Sequence, residues 1–120
     1  MLLTTPRAEL FFGEQEVLAA AQHLTGKPGL CRDDPAPVTY MHMLFDRHQI
    51  VLANGCWSES FHPGTYSMNG LDAAQRTEIL TIFPELASHA GRERHAAARR
   101  SLRRHETRSL IGADRAILRL

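Results

Sequence analysis

At 120 residues, with 43% apolar and 22% charged side chains, the chain has the size and composition of one soluble globular domain, which excludes a disordered or fibrous class. A core is affordable, because a chain of this length buries roughly two-thirds of the surface it exposes when unfolded. The formal charge of +1 conceals an asymmetry: residues 1–87 carry five Lys and Arg against ten acids, net −5, while residues 88–120 carry nine Arg against three acids, net +6.

No run approaches the ~18 apolar residues of a membrane helix, and Met1-Leu2-Leu3-Thr4 lacks the basic start and long apolar stretch of a signal peptide. The expectation is a protein with no membrane contact, cytoplasmic by default. Cys31 and Cys56 lie far apart without C-x-x-C spacing and read as free thiols.

Residues 8–12, ending at Gly13, read as a short strand meeting a turn, and the apolar opening Met1-Leu2-Leu3 suggests a chain cut into rather than begun. Over residues 14–24, Val17, Leu18, Ala21 and Leu24 recur at helical spacing behind Glu14 and Glu16, which predicts a short helix, although the Val17-Leu18 pair also suits a strand. Gly26, Pro28, Gly29, Asp33, Asp34, Pro35 and Pro37 make residues 25–37 a loop.

Residues 38–45 alternate with both faces largely apolar, which predicts a central strand. Asp46-Arg47 is a tight turn, residues 48–53 a second strand, and Asn54-Gly55 the strongest short-range hairpin signal, since both residues tolerate positive φ. Residues 56–61 return as a third strand, stopped by His62-Pro63-Gly64, and residues 65–70 read as loop. Asp72 with Gln75 forms a capping box ahead of Ile79, Leu80, Ile82 and Phe83, and Pro84 limits that helix. Residues 92–111 hold no Gly or Pro and carry a narrow stripe of Ala98, Leu102, His105 or Glu106, and Leu110, which predicts one long helix, solvated on most of its face. No internal repeat is visible.

The ordered string Tyr40-Met-His42-Met-Leu-Phe-Asp46-Arg47-His48, Asn54-Gly55 and Glu59-Ser60-Phe61-His62-Pro63-Gly64, followed by an Arg-rich tail, resembles the C-terminal blocks of the Hint superfamily. This is the self-processing module of hedgehog autoprocessing domains and inteins, and the likeness is to the Hint-type domains of large bacterial proteins of secreted type. It runs from Met1 to about Leu110. The fold it implies is mainly β, the end of a horseshoe-shaped β fold with one or two C-terminal helices. Residues 1–87 would be the C-terminal portion of the domain and residues 88–120 its Arg-rich helical tail.

The resemblance implies chemistry that needs no cofactor: a Cys or Ser attacks the preceding carbonyl to make a thioester or ester, a Thr-x-x-His pair moves protons at that bond, and a later histidine assists the second step. His48 matches the later histidine. Position 1 is Met, and no Thr-x-x-His precedes Tyr40. Where an intein ends in His-Asn for cyclisation, this chain reads Glu59-Ser60. The expectation is a C-terminal part that is inactive alone, with a nucleophile-bearing half, or a second copy through open strand edges, as its partner.

Each residue also has a plainer role. His48 is either a half-buried histidine making one hydrogen bond or an inherited active-site group, since neutral imidazole serves both. Cys56 reads as a small residue beside a turn, and Trp57 as a core or edge anchor. His42, His48, Cys56 and His62 are metal-ligand types, but their spacing matches no compact zinc signature. The basic tail admits a second reading, a binding module for nucleic acid or an acidic protein. The lack of interleaved aromatics argues against single strands, and arginines paired with Glu93 and Glu106 on a solvated helix are the simpler account. No small-molecule ligand is evident.

Overall fold

The computed structural model describes residues 1–113 apart from Pro28 and Pro35. The elements run β1 (Leu2–Thr4), α1 (Pro6–Phe12), β2 (Glu16–Leu18), a 3-10 turn (Ala21–His23), β3 (Ile50–Ala53), β4 (Cys56–Glu59), α2 (Thr65–Asn69), α3 (Ala73–Ile82), a second 3-10 turn (Pro84–Ala87), α4 (His89–Arg94), β5 (Arg100–Ser101) and α5 (Arg104–Ala113). Strands account for 15% of the structure and helices for 39%, so the mainly β class is overturned: this is a mixed fold in which helix predominates.

Two units are distinguished. The first comprises Met1–Met41, Ile50–Glu59 and Arg99–Leu120. Here β1 pairs antiparallel with β2, and β2 pairs parallel with β5, giving the order β1-β2-β5. Residues 8–12, expected as strand, are helical because Thr5 caps the chain. Its side chain accepts the Arg7 N–H, Pro6 sits in the first turn, and Gly13 closes the helix at φ 73°. The helix expected over residues 14–24 is instead β2 and a 3-10 turn; Val17 and Leu18 are needed on the sheet, and pairing outweighs their spacing. Leu3, Ala8, Val17, Ala19, Leu24, Leu102 and Leu110 form the buried cluster, with Met1, Phe12, Leu30 and Ile111 against it.

The predicted hairpin is present as β3 and β4, in register from Ile50 opposite Glu59 to Ala53 opposite Cys56. Asn54 and Gly55 turn it with φ 52° and 74°, as a primed turn requires. Residues 38–45 form no strand. Val38, Tyr40 and Met41 are exposed, Tyr40 at 80% and Met41 at 90%, and no described strand pairs with them; without a ladder the alternating pattern has nothing to hold it extended.

The second unit comprises His42–Gln49 and Ser60–Ala98 and contains α2, α3, the second 3-10 turn and α4. Residues 65–69, expected as loop, form α2. Its last carbonyls are satisfied by Arg76, whose guanidinium donates to Met68 O at 3.3 and 3.2 Å and to Leu71 O at 3.3 Å. The capping box of α3 is as predicted: Asp72 accepts the Gln75 N–H at 2.8 Å while Gln75 accepts the Asp72 N–H.

The single helix expected over residues 92–111 is divided into α4, an irregular segment, β5 and α5. Propensity there yields to tertiary bonds: the Ala98 N–H goes to His48, the Leu102 N–H to Leu18 O at 2.7 Å, and Arg100 and Ser101 to the sheet. Glu106 accepts the Arg103 N–H at the start of α5 and pairs with Arg100 at 2.7 Å, and that backbone bond first, then Arg100, holds its carboxyl below the ordinary value. Glu93 pairs with His89 four residues before it. Among the described residues no helix is long and apolar enough to cross a membrane. Cys31 and Cys56 are free thiols.

Candidate functional site

The second unit buries imidazoles where the first buries leucines. His48 is 6% exposed and His95 9%, with Ser60 at 3%. The bend at Asp46 and Arg47 turns the chain so that His48 points inward, and the following residue is fixed twice: the Gln49 N–H donates to Ser60 Oγ at 2.9 Å, and the Ser60 N–H donates to Gln49 O at 2.9 Å. Ser60 Oγ therefore serves as an acceptor for a backbone amide.

The tautomers follow from the partners. His48 Nδ1 accepts the Ala98 N–H at 2.8 Å, so Nδ1 keeps its lone pair and Nε2 carries the hydrogen. His62 Nε2 lies 2.7 Å from His95 O; a carbonyl only accepts, so Nε2 donates. The His48 and His62 rings lie tilted at 38° with 4.7 Å between centroids, and the His62 and His95 centroids are 6.4 Å apart. Burial pushes the His95 pKa below its ordinary 6.5, and His62 and His48 lower it further, while Glu85 and Asp46 pull the other way.

A cleft of about 260 Å³ opens beside this cluster, lined by His62, Gly64, His89, Arg92, Glu93 and His95. Arg92 closes the neighbouring turn, donating from one nitrogen to Leu86 O at 2.8 Å and Ala87 O at 3.1 Å. Three imidazoles around such an opening can take up and deliver protons without a diffusible group. Among the described residues, no three His, Cys, Asp or Glu side chains are arranged to hold a metal ion.

The other residues singled out by sequence are dispersed. His42 is exposed, its ring tilted against Phe61 at 5.2 Å, and Asp46 is exposed in the bend. Tyr40, Asn54, Gly55 and Glu59 belong to the first unit, all exposed, as does Cys56, whose Sγ lies 3.7 Å from Trp57 O. Trp57 is 44% exposed. His95 was not legible as a site residue, because its Arg- and Ala-rich surroundings read as uninterrupted helix; only the histidine itself, one of seven, signalled it.

A family model described as Hint domain matches residues 1–65, just over half of the chain. No curated protein and no solved structure matches it.

Proposed function

Because the chain belongs to the Hint domain family, we propose that it supplies the C-terminal, histidine-bearing part of a self-processing site, completed by a segment that carries the nucleophile and inert without it. The observation that carries this reading is His48: within the Asp46-Arg47-His48 motif it alone is buried, with its tautomer fixed by the Ala98 amide and its ring tilted against His62. In that role His48 serves the second step, in which a nucleophile attacks the thioester or ester carbonyl, the C–S or C–O bond breaks, and the nucleophile's proton ends on the departing sulfur or oxygen. A neutral imidazole with hydrogen on Nε2 is suited to donate a hydrogen bond to the carbonyl oxygen as negative charge develops on it.

Residues 38–41 add support. Val38, Tyr40 and Met41 are exposed and no described strand pairs with them, so they offer an edge to an incoming strand, which is how a complementing half would dock.

The test mixes the chain with a polypeptide carrying a Cys-first segment and a Thr-x-x-His pair under reducing conditions, and follows cleavage by mass spectrometry. Wild-type chain is expected to support cleavage, and His48→Ala to slow it about 10²–10³-fold, the usual worth of one hydrogen-bond donor to a developing oxyanion. No cleavage with the intact chain, or equal rates for the variant, counts against the reading.

A further inference from the structure

A different part of the molecule gathers cations around an opening outside the histidine cluster. In the first unit the loop after the 3-10 turn at Ala21–His23 faces α5, and between them lies a cleft of about 350 Å³. Lys27, Arg32, Arg104 and Arg108 line it together with His23, and no acidic side chain lines it among the described residues. Arg104 and Arg108 stand four apart on α5 and so share a face.

Lys27 is already engaged, its Nζ donating to Ile111 O at 3.1 Å, whereas Arg104 opens α5 and Arg108 stands in its middle, where the negative end of the helix dipole does not reach. Three guanidinium groups remain, and no described carboxylate forms an ion pair with Arg32, Arg104 or Arg108. Like charges gathered around a cavity repel one another and hold a standing attraction for a multivalent anion.

We propose that this cleft binds a small polyphosphate anion, of the pyrophosphate or triphosphate type. Three points select this chemistry. A single carboxylate would neutralise one of four cations, whereas linked phosphate groups answer several at once, and guanidinium forks match phosphate oxygens in pairs. The volume corresponds to ~12 water molecules at their share of liquid volume, room for more than one phosphate. No Phe, Tyr or Trp lines the cleft, so there is no platform for a stacked base and the phosphates themselves are what is recognised.

The side chains carry this recognition. Two of the loop's amides are spent internally, Gly26 N–H on Leu30 O at 3.1 Å and Lys27 N–H on Leu24 O at 3.3 Å. His23 contributes a further polar atom: its Nδ1 is buried and has no hydrogen-bond partner among the described residues.

The experiment is calorimetric titration of the full chain with sodium pyrophosphate and with tripolyphosphate at low ionic strength, repeated at higher salt. Saturable binding is expected, weakening as salt rises. Arg104→Gln/Arg108→Gln should weaken it at least about tenfold, since two charge-assisted contacts are lost. The charge-matched control Arg7→Gln/Arg94→Gln, on surfaces outside the cleft, should leave affinity within about twofold, because it removes the same net charge but no contact. Arg32→Gln, in the loop, serves as an independent variant should the α5 pair disturb folding, and circular dichroism checks all of them. Absence of saturable binding, or equal losses in cleft and control variants, overturns the proposal. So does a single-stranded oligonucleotide that binds while neither polyphosphate binds or competes with it. None of these outcomes depends on whether the chain supports peptide cleavage.

Discussion

In the first unit Leu3, Val17, Leu24 and Leu110 are sealed from solvent, each 1% exposed or less, around a small three-stranded sheet. In the second, Leu86 and Met68 share the interior with His48, Ser60 and His95, and guanidinium groups of Arg76 and Arg92 close the ends of turns by donating to carbonyls. The interior of the first unit is thus mostly apolar burial that carries no titrating group, whereas the interior of the second includes directional bonds that depend on which nitrogen of an imidazole holds a proton.

The comparison breaks most severely at Leu110. Leu110→Ala empties a fully buried site in the first cluster and should cost about 2–5 kcal/mol, read from urea denaturation. Gly91→Ala probes the second unit with the opposite sign from propensity. An exposed helix would gain about 1 kcal/mol from alanine, but here a Cβ would run into the Glu85 carbonyl, 2.6 Å from its carbon. The net expectation is a loss of about 1–3 kcal/mol, because backbone must move to admit the methyl group. A neutral or stabilising result would mean that α4 is not packed on that turn.

Acidification separates the units more finely. The folded His95 pKa lies below its unfolded value of 6.5, so between these two values the unfolded chain binds more protons. Stability should therefore fall as pH drops below about 6.5, and the loss should level off below the lowered pKa. His95→Leu should flatten this slope in urea midpoints measured across that range. An unchanged slope would assign the pH response to other groups.

The smallest effect belongs to the exposed hairpin. Leu52 and Trp57 face each other across β3 and β4 at 58% and 44% exposure, and a double-mutant cycle to alanine should give a coupling of about 0.2–1 kcal/mol. A larger coupling would mean that this pair is covered.

Sequence revealed the local devices best: the Asn54-Gly55 turn, the Asp72–Gln75 capping box and the loop chemistry after Thr25 all act within a few residues. It failed where distant partners decide. Val17 and Leu18 carry helical spacing yet pair with β1 and β5, and residues 92–111 have the composition of one helix yet are divided by bonds to His48 and Leu18. The site was half legible. His48 stood out through the Asp46-Arg47-His48 string, whereas His62 was read only as a metal-ligand type and His95 as helix surface, because packing between segments 33 residues apart leaves no periodic trace.

The central claim, that His48 is a neutral, oriented imidazole within a proton-handling cluster, is tested most directly by ring-nitrogen NMR of the uniformly ¹⁵N-labelled chain above pH 7. The structure predicts that His48 carries its hydrogen on Nε2, with Nδ1 unprotonated and coupled to the Ala98 amide. A His48 with hydrogen on Nδ1, or in exchange between both tautomers, would contradict it.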